Sequence, residues 1–292
     1  MLKQIPHINF ISKKHYAFGF SFLLSILSII LLISNGLNFS IDFKGGTIID
    51  FKTEHQNVAV ELKDNLDKQH YKDFEINKII GSESTYSLKM GTNTSEDIEK
   101  LVYSLKQKFN DIQIDRIDYI GPKIGAEFAF ASAKAIVFSL IAMMIYVWIR
   151  FDLIFSVGVI VALLHDVLIT LGFFSLTQFQ FDLTSVAVIL TIVGYSINDS
   201  IVIYDRIREN VTTKISTIKR SQFCDLINRS INETLSRTIM TSLTTIIVCI
   251  ALLILGGEAL RGFSAGLSFG IAFGTYSSIY VSAPILIFFS KR

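Results

Sequence analysis

A chain of 292 residues that is 51% hydrophobic, has only 3 prolines and carries a formal charge of +2, at a mean hydropathy of +0.50, is neither an ordinary soluble domain nor a disordered one. Its apolar residues fall in runs long enough to cross a bilayer, with one moderately sized polar insertion. The small positive charge follows those runs rather than forming a patch, which excludes nucleic-acid binding, and no Gly-x-x-x-x-Gly-Lys-Ser/Thr loop is present to support ATP hydrolysis.

In chain order, residues 1–15 form a basic tail with Lys3, Lys13 and Lys14, and residues 16–41 contain no Asp, Glu, Lys or Arg. That apolar run, taken as a first span over 16–35, exceeds the needs of a signal peptide and lacks a small-residue cleavage site, so an uncleaved anchor is expected. Residues 36–127 are too long and too patterned for a mere loop. Gly46–Lys52 alternates as a strand, and 58–69 has the spacing of an amphipathic helix. Phe74–Ile80 and Tyr86–Met90 read as two more strands around a turn at Gly81-Ser82-Glu83-Ser84. Ser95–Phe109 reads as a second helix, capped by Thr94 or Ser95, and Ile112–Ile120 closes the set. The order βαββαβ predicts a ferredoxin-like α+β domain. Its His55 and His70 are isolated and it has no Cys, so nothing in it points to catalysis. It is expected to take an extended polypeptide at a sheet edge, or else to serve as a docking domain or lid.

Five further spans are predicted over about 129–149, 153–175, 183–204, 238–256 and 264–289, within a membrane region of 128–290. The fold class is thus a polytopic helical membrane protein with six spans and one α+β domain between the first two. Orientation follows from the short loops. Arg150, and Arg206, Arg208, Lys214, Lys219, Arg220, Arg229 and Arg237 in a loop over 206–237, lie on the side of both termini, which ends in Lys291-Arg292. The opposite side has only Arg261 in 257–262 and no basic residue in 176–182. Both termini are therefore cytoplasmic, and 36–127 is exported.

Asp199 sits in the fourth span beside Asn198, where a carboxylate costs about 2.5–3.5 kcal/mol to insert. Such a residue faces a bundle interior or a wet path and carries a proton, an ion or a partner charge; its plainer role is hydrogen-bonded glue between helices. A carboxyl in a low-dielectric site is biased toward its neutral form, and neutralising it removes its need for hydration or a counter-charge. A membrane potential supplies about 2.3 kcal/mol per charge per 100 mV, enough to bias a conformational cycle without a nucleotide. His165-Asp166, in the middle of the third span, is expected either to relay protons to Asp199 or to be satisfied locally. Arg237, with Thr241 and Thr244 on its helical stripe, is either a counter-charge for passing protons or a positive-inside anchor. Lys134 is expected to snorkel, and Asp205-Arg206 and Arg208-Glu209 to lie at the interface. Gly262, Gly266, Gly270 and Gly274, with Ser278 and Ser282, make a small-residue ridge for close helix approach, within the chain or to another. Cys224 and Cys249 are placed for neither a disulfide nor a metal.

The segments DFKGG (Asp42, Phe43, Lys44, Gly45, Gly46), GPKIG at 121–125, His165-Asp166 and GYSINDSIVIYDRIREN (194–210, with Gly194, Asp205 and Arg206) together resemble the SecD/SecF family of protein-export membrane proteins, within the resistance–nodulation–division (RND) superfamily. The likeness continues through SRTIMTSLTT at 236–245 and spans essentially the whole chain. It implies a six-span inner-membrane subunit with a periplasmic domain, acting as a heterodimer with SecD beside the SecYEG channel, with YajC and YidC as further candidate partners. It also implies use of the proton-motive force in late steps of preprotein export, with Asp199 as the membrane carboxylate and Arg237 as the arginine of the fifth span. No cofactor or metal is expected; H⁺ is the expected coupling ion and Na⁺ the alternative. The competing expectations are a proton-driven exporter of small molecules or lipids and a non-transporting scaffold.

Overall fold

The structure, a computed structural model, describes residues 8–54, 58–68, 74–78, 84–91, 95–109, 111–211 and 215–290. The turn expected at 81–83, the Thr94 cap, His55, His70, Lys3, Lys214 and the terminal Lys291-Arg292 lie outside the described residues.

Among the described residues, six helices are long and apolar enough to cross a membrane. α1 (Lys14–Ser34) ends where Gly36 adopts a φ of 66°, a conformation that turns the chain out of the helix. A single helical turn, α2 (Ile41–Lys44), then leads into the extramembrane domain. That domain contains β1 (Gly46–Lys52), α3 (Val58–Lys68), β2 (Phe74–Lys78), β3 (Thr85–Met90), α4 (Ser95–Lys108) and β4 (Gln113–Ile120). Its sheet has the order β2-β3-β1-β4 with every neighbouring pair antiparallel. β3 thus lies between β1 and β2, which is the ferredoxin-like split βαβ arrangement. Alternation puts Ile49 and Phe51 of β1 and Leu88 and Met90 of β3 on one face, against Leu62 and Leu66 of α3 and Leu101 and Leu105 of α4, all buried.

The remaining helices are α5 (Pro122–Arg150), α6 (Leu153–Thr177), α7 (Leu183–Asn210), α8 (Arg220–Leu255) and α9 (Gly257–Ser277). The last span continues past α9 through a π-helical turn (Ser278–Ser282), α10 (Ala283–Ile285) and a 3₁₀ turn (Leu286–Phe289). Three boundaries differ from expectation. The last span's helix starts at Gly257 rather than near 264, so the expected loop at 257–262 is helical. α5 starts at Pro122 rather than near 128, because proline at the first helical position needs no backbone N–H partner there. The expected cytoplasmic loop 206–237 is mostly helix: Phe223, Ile227, Ile231 and Leu235 recur every four residues and are buried, so this amphipathic stretch packs on the bundle and extends α8. α8 has 36 residues, about 54 Å at 1.5 Å per residue, well beyond a hydrocarbon core about 30 Å thick. Its first half therefore lies outside the hydrocarbon.

α6, α7 and α9 form the buried centre of the bundle, and α1, α5 and α8 stand around it. The small-residue ridge explains the centre. Gly266 faces the ring of Phe174, Gly270 faces Ile192 and Thr170, and Gly274 faces Ser196 and Asp166. The partners of the ridge are thus α6 and α7 of the same chain. Gly262, at the outer end, faces Phe179 and Gln180 of the α6–α7 loop.

Candidate proton-coupling site

Two acid-centred clusters occupy the middle of the bundle, on different faces of α9. In the first, Asp166 of α6 is fully buried. Its Oδ2 accepts from Ser196 Oγ of α7 at 2.6 Å and from Ser277 Oγ of α9 at 2.7 Å, and its Oδ1 lies 3.0 Å from His165 Nδ1. Gly274, one turn before Ser277, lets α9 come close to α7 here; a Cβ there would stand 3.2 Å from Ser196 Cβ. The other ring nitrogen, His165 Nε2, is buried without a hydrogen-bond partner.

In the second, Asp199 of α7 is 1% exposed. Its one hydrogen bond among the described residues is from Thr275 Oγ1, at 3.4 Å, and Thr275 in turn lies 2.6 Å from Ser242 Oγ of α8. Arg237 is the cation whose field reaches Asp199, yet no ion pair joins them among the described residues, and Arg237 is exposed on the outer face of α8. A carboxyl held by one long hydrogen bond and facing a distant cation has a low barrier to changing partner. Protonated, it can donate to Thr275; charged, it needs water or a cation.

The expected residues therefore divide. Asp199 and Arg237 share one region. Asp166 is satisfied by His165, Ser196 and Ser277 and holds α6, α7 and α9 together, whereas His165 is satisfied at Nδ1 only, and no hydrogen bond among the described residues joins either to Asp199. Asn198 points away from both, on an exposed stripe of α7 that includes Thr191. Gly194 lies on the same side, with open space where a Cβ would be. Thr241 and Thr244 return their hydroxyls to the carbonyls of Arg237 and Met240. Lys134 is exposed, with its ammonium 4.1 Å from the centre of the Phe130 ring. Asp205 pairs with Arg150 at 3.1 Å, while Arg206 binds Glu209 and Glu233, both at 2.6 Å, clamping the cytoplasmic ends of α7 and α8.

The DFKGG and GPKIG segments meet at one point. A Cβ on Gly125 would stand 2.6 Å from the carbonyl oxygen of Phe43, and one on Gly45 (φ 81°) would stand 2.9 Å from Pro122. Asp42 then reaches across the membrane surface: its Oδ2 accepts from the backbone N–H of Leu183, the first residue of α7, at 3.3 Å. Beside it, Ser40 N–H donates to the Phe181 carbonyl and Phe181 N–H donates to that of Asn38, a short parallel bridge. The segment entering β1 is thereby fastened to the start of the helix that carries Asp199.

Sequence reasoning missed Ser196 and Ser277 as partners of Asp166, Thr275 as the partner of Asp199, and Ser242 behind Thr275. No local signal marked them, since each partner lies on another helix.

A six-span bundle with a buried acid at its centre and an α+β domain fastened to the acid's helix defines a multi-pass helical membrane protein with one extramembrane domain. The family description "Protein export membrane protein SecD/SecF, C-terminal" matches residues 100–292, and "SecD/SecF GG Motif" matches residues 30–56. The protein translocase subunits SecF of Rickettsia rickettsii and Rickettsia felis are 40% and 39% identical, over 100% of this chain and 96% of theirs. Among solved structures, SecDF of Thermus thermophilus, a translocon-associated membrane protein, matches with a TM-score of 0.82 at 36% identity. SecDF in a super-membrane-facing form matches with 0.73 at 37%. Each match covers 98% of this chain but only 39% of the longer SecDF chain. The chain belongs to the SecD/SecF family of protein-export membrane proteins and is a multi-pass protein of the inner membrane.

Proposed function

We propose that the chain is the SecF-type auxiliary subunit of a Sec protein translocase, which with a SecD-type partner uses the proton-motive force to promote late translocation and release of unfolded preproteins on the periplasmic side. The observation that carries this reading is the pairing of Asp199 with its surroundings: an acid 1% exposed, on a single 3.4 Å hydrogen bond, in the helix whose first N–H is held by Asp42 of the extramembrane segment. Proton uptake at Asp199 removes the charge that α7, α8 and α9 must accommodate. A shift of α7 then reaches β1 through Asp42 and the Ser40–Phe181 bridge.

The SecD-type partner fits the exposed stripe of α7 around Thr191, Gly194 and Asn198 and the neighbouring Arg237 of α8, where polar and small side chains face outward from a membrane helix. The SecYEG channel, with YajC and YidC, completes the assembly in this reading, which is one of transport and not of catalysis. Protons are the coupling ion, with Na⁺ as the alternative to be separated by experiment. The names of the relatives weigh for a translocase subunit and against an exporter of small molecules or lipids.

The test is release of a preprotein from spheroplasts that carry or lack this chain, with and without an uncoupler, after the ATP-driven step is complete. Release that needs both the chain and the gradient supports the proposal. Release that is indifferent to the chain overturns it.

A further inference from the structure

α1 and α6 are joined tightly in the periplasmic half of the bilayer and splay apart in the cytoplasmic half. In the periplasmic half Ser28 of α1 packs directly onto Gly172 of α6, and Ser175 Oγ donates to the Leu31 carbonyl at 2.8 Å. Below that seam the facing residues become bulky, and a groove of about 620 Å³ opens sideways between Phe18 and Phe22 of α1, Leu164 and Leu168 of α6, and Val281 and Ile285 of the last span. That volume lies within the range of about 300–1,000 Å³ typical of ligand sites. Ser25 and Leu168 mark the groove's inner end, and His165 lies one turn nearer the mouth.

With Lys14 beyond its mouth, the site reaches about one leaflet. The groove's lining on α1 runs from Phe18 to Ser25, about 11 Å, and Lys14, one turn further out on the same face, is about 16 Å from Ser25 along the axis at 1.5 Å per residue. Half of a hydrocarbon core about 30 Å thick is about 15 Å. Two cations stand at the mouth. Lys14 is one turn beyond Phe18 on the same face. The Phe18 ring lies 6.2 Å from that of Phe288, and the Arg220 guanidinium lies 6.0 Å from the Phe288 ring on its own side. Arg220 is brought there by the cytoplasmic half of α8, whose Asn228 and Asn232 also hold the chain just before α1 by accepting from the N–H groups of Phe10 and Ile8.

We propose that this groove is a binding site for an anionic glycerophospholipid of the cytoplasmic leaflet. Its phosphate lies between Lys14 and Arg220, and one acyl chain follows the groove to the bilayer midplane. Charge beyond the mouth and an apolar slot that closes near the midplane select this occupant: a zwitterionic lipid brings its own ammonium against the two cations, and a protein helix would continue past the seam at Ser28 and Gly172. The site does not depend on the translocase reading and stands or falls separately from it.

The test uses the full-length chain, delipidated in detergent and titrated with phosphatidylglycerol or phosphatidylethanolamine, with bound lipid counted by native mass spectrometry. Two variants separate the two halves of the site. Lys14→Gln with Arg220→Gln removes both cations and is expected to weaken phosphatidylglycerol binding about 30-fold, from about 1 kcal/mol per basic residue. Gly19→Leu, whose Cβ enters open space in the groove, is expected to weaken it comparably while helicity and thermal unfolding stay unchanged. Equal retention of the two lipids overturns the proposal. So does wild-type retention of phosphatidylglycerol by either variant, and so does a Phe22→Cys crosslink that captures a partner helix in native membranes instead of lipid.

Discussion

Removing the Asp166 carboxylate is predicted to loosen the bundle far more than altering Asp199. Asp166 accepts from Ser196 and Ser277 and pairs with His165, joining three helices in a place no water reaches. Hydrogen bonds between membrane helices average about 0.6 kcal/mol and reach about 1.7, so the two that leave α6, to Ser196 and Ser277, amount to about 1 kcal/mol on average and about 3 at the limit. Ser277 already has a second acceptor in the Gly274 carbonyl at 3.0 Å, but Ser196 and His165 are left without their buried acceptor, which places Asp166→Ala at about 2–3 kcal/mol. Asp166→Asn keeps a carbonyl oxygen for one serine and should cost about 1 kcal/mol. Asp199→Asn gives up one 3.4 Å bond and should cost less than about 1 kcal/mol. Reversible unfolding of the purified chain in mixed micelles measures all three. If Asp166→Ala unfolds with wild-type stability, or Asp199→Asn loses as much as Asp166→Ala, the assignment of Asp166 to structure and Asp199 to coupling is wrong.

Further expectations concern the joints. Gly125→Ala forces a methyl against the backbone of Phe43 and should cost about 1–3 kcal/mol, read as a lower thermal midpoint; unchanged unfolding would mean that the two glycine segments do not bear on each other. Asp42→Ala should leave global stability within about 1 kcal/mol, because Asp182 still caps α7 through Ser185 N–H at 2.8 Å. It should nonetheless speed hydrogen exchange at Leu183 and abolish gradient-dependent release, and full release by this variant would remove Asp42 from the coupling path. Tyr204→Phe removes the hydroxyl that lies 2.5 Å from Ser282 Oγ beside the π-helical turn, at about 1 kcal/mol; a larger loss would show that the turn depends on it. Asn198→Cys should crosslink to the partner chain in native membranes, whereas Ser196→Cys, facing the interior, should not.

Much of this was legible in the sequence because membrane spans and alternating strands obey strong local rules. β1 has the bounds its alternation predicts, Gly46–Lys52, and the glycine ridge of 262–274 announced close packing by its spacing alone. The contacts that give the site its character were not legible. His165 and Asp166 are adjacent to each other in sequence, but their satisfaction depends on Ser196 and Ser277, 30 and 111 residues from Asp166. An isolated serine in an apolar helix carries no sign of which helix it will face. The capping of α7 by Asp42 spans 141 residues for the same reason. The helix before 238 was not legible because hydropathy registers only where charges begin, whereas the amphipathic stretch from Arg220 stays helical by burying one face on the bundle.

The central claim is that the protonation of Asp199 powers release through α7 and Asp42. Its most direct test is gradient-dependent preprotein release by Asp199→Asn, expressed with the SecD-type partner at wild-type levels and compared with Asp199→Glu. The account predicts that the Asn variant, folded and membrane-inserted, releases substrate at the uncoupled rate whether or not the gradient is present, while Glu restores part of the response. Gradient-stimulated release by the Asn variant at the wild-type rate would contradict it.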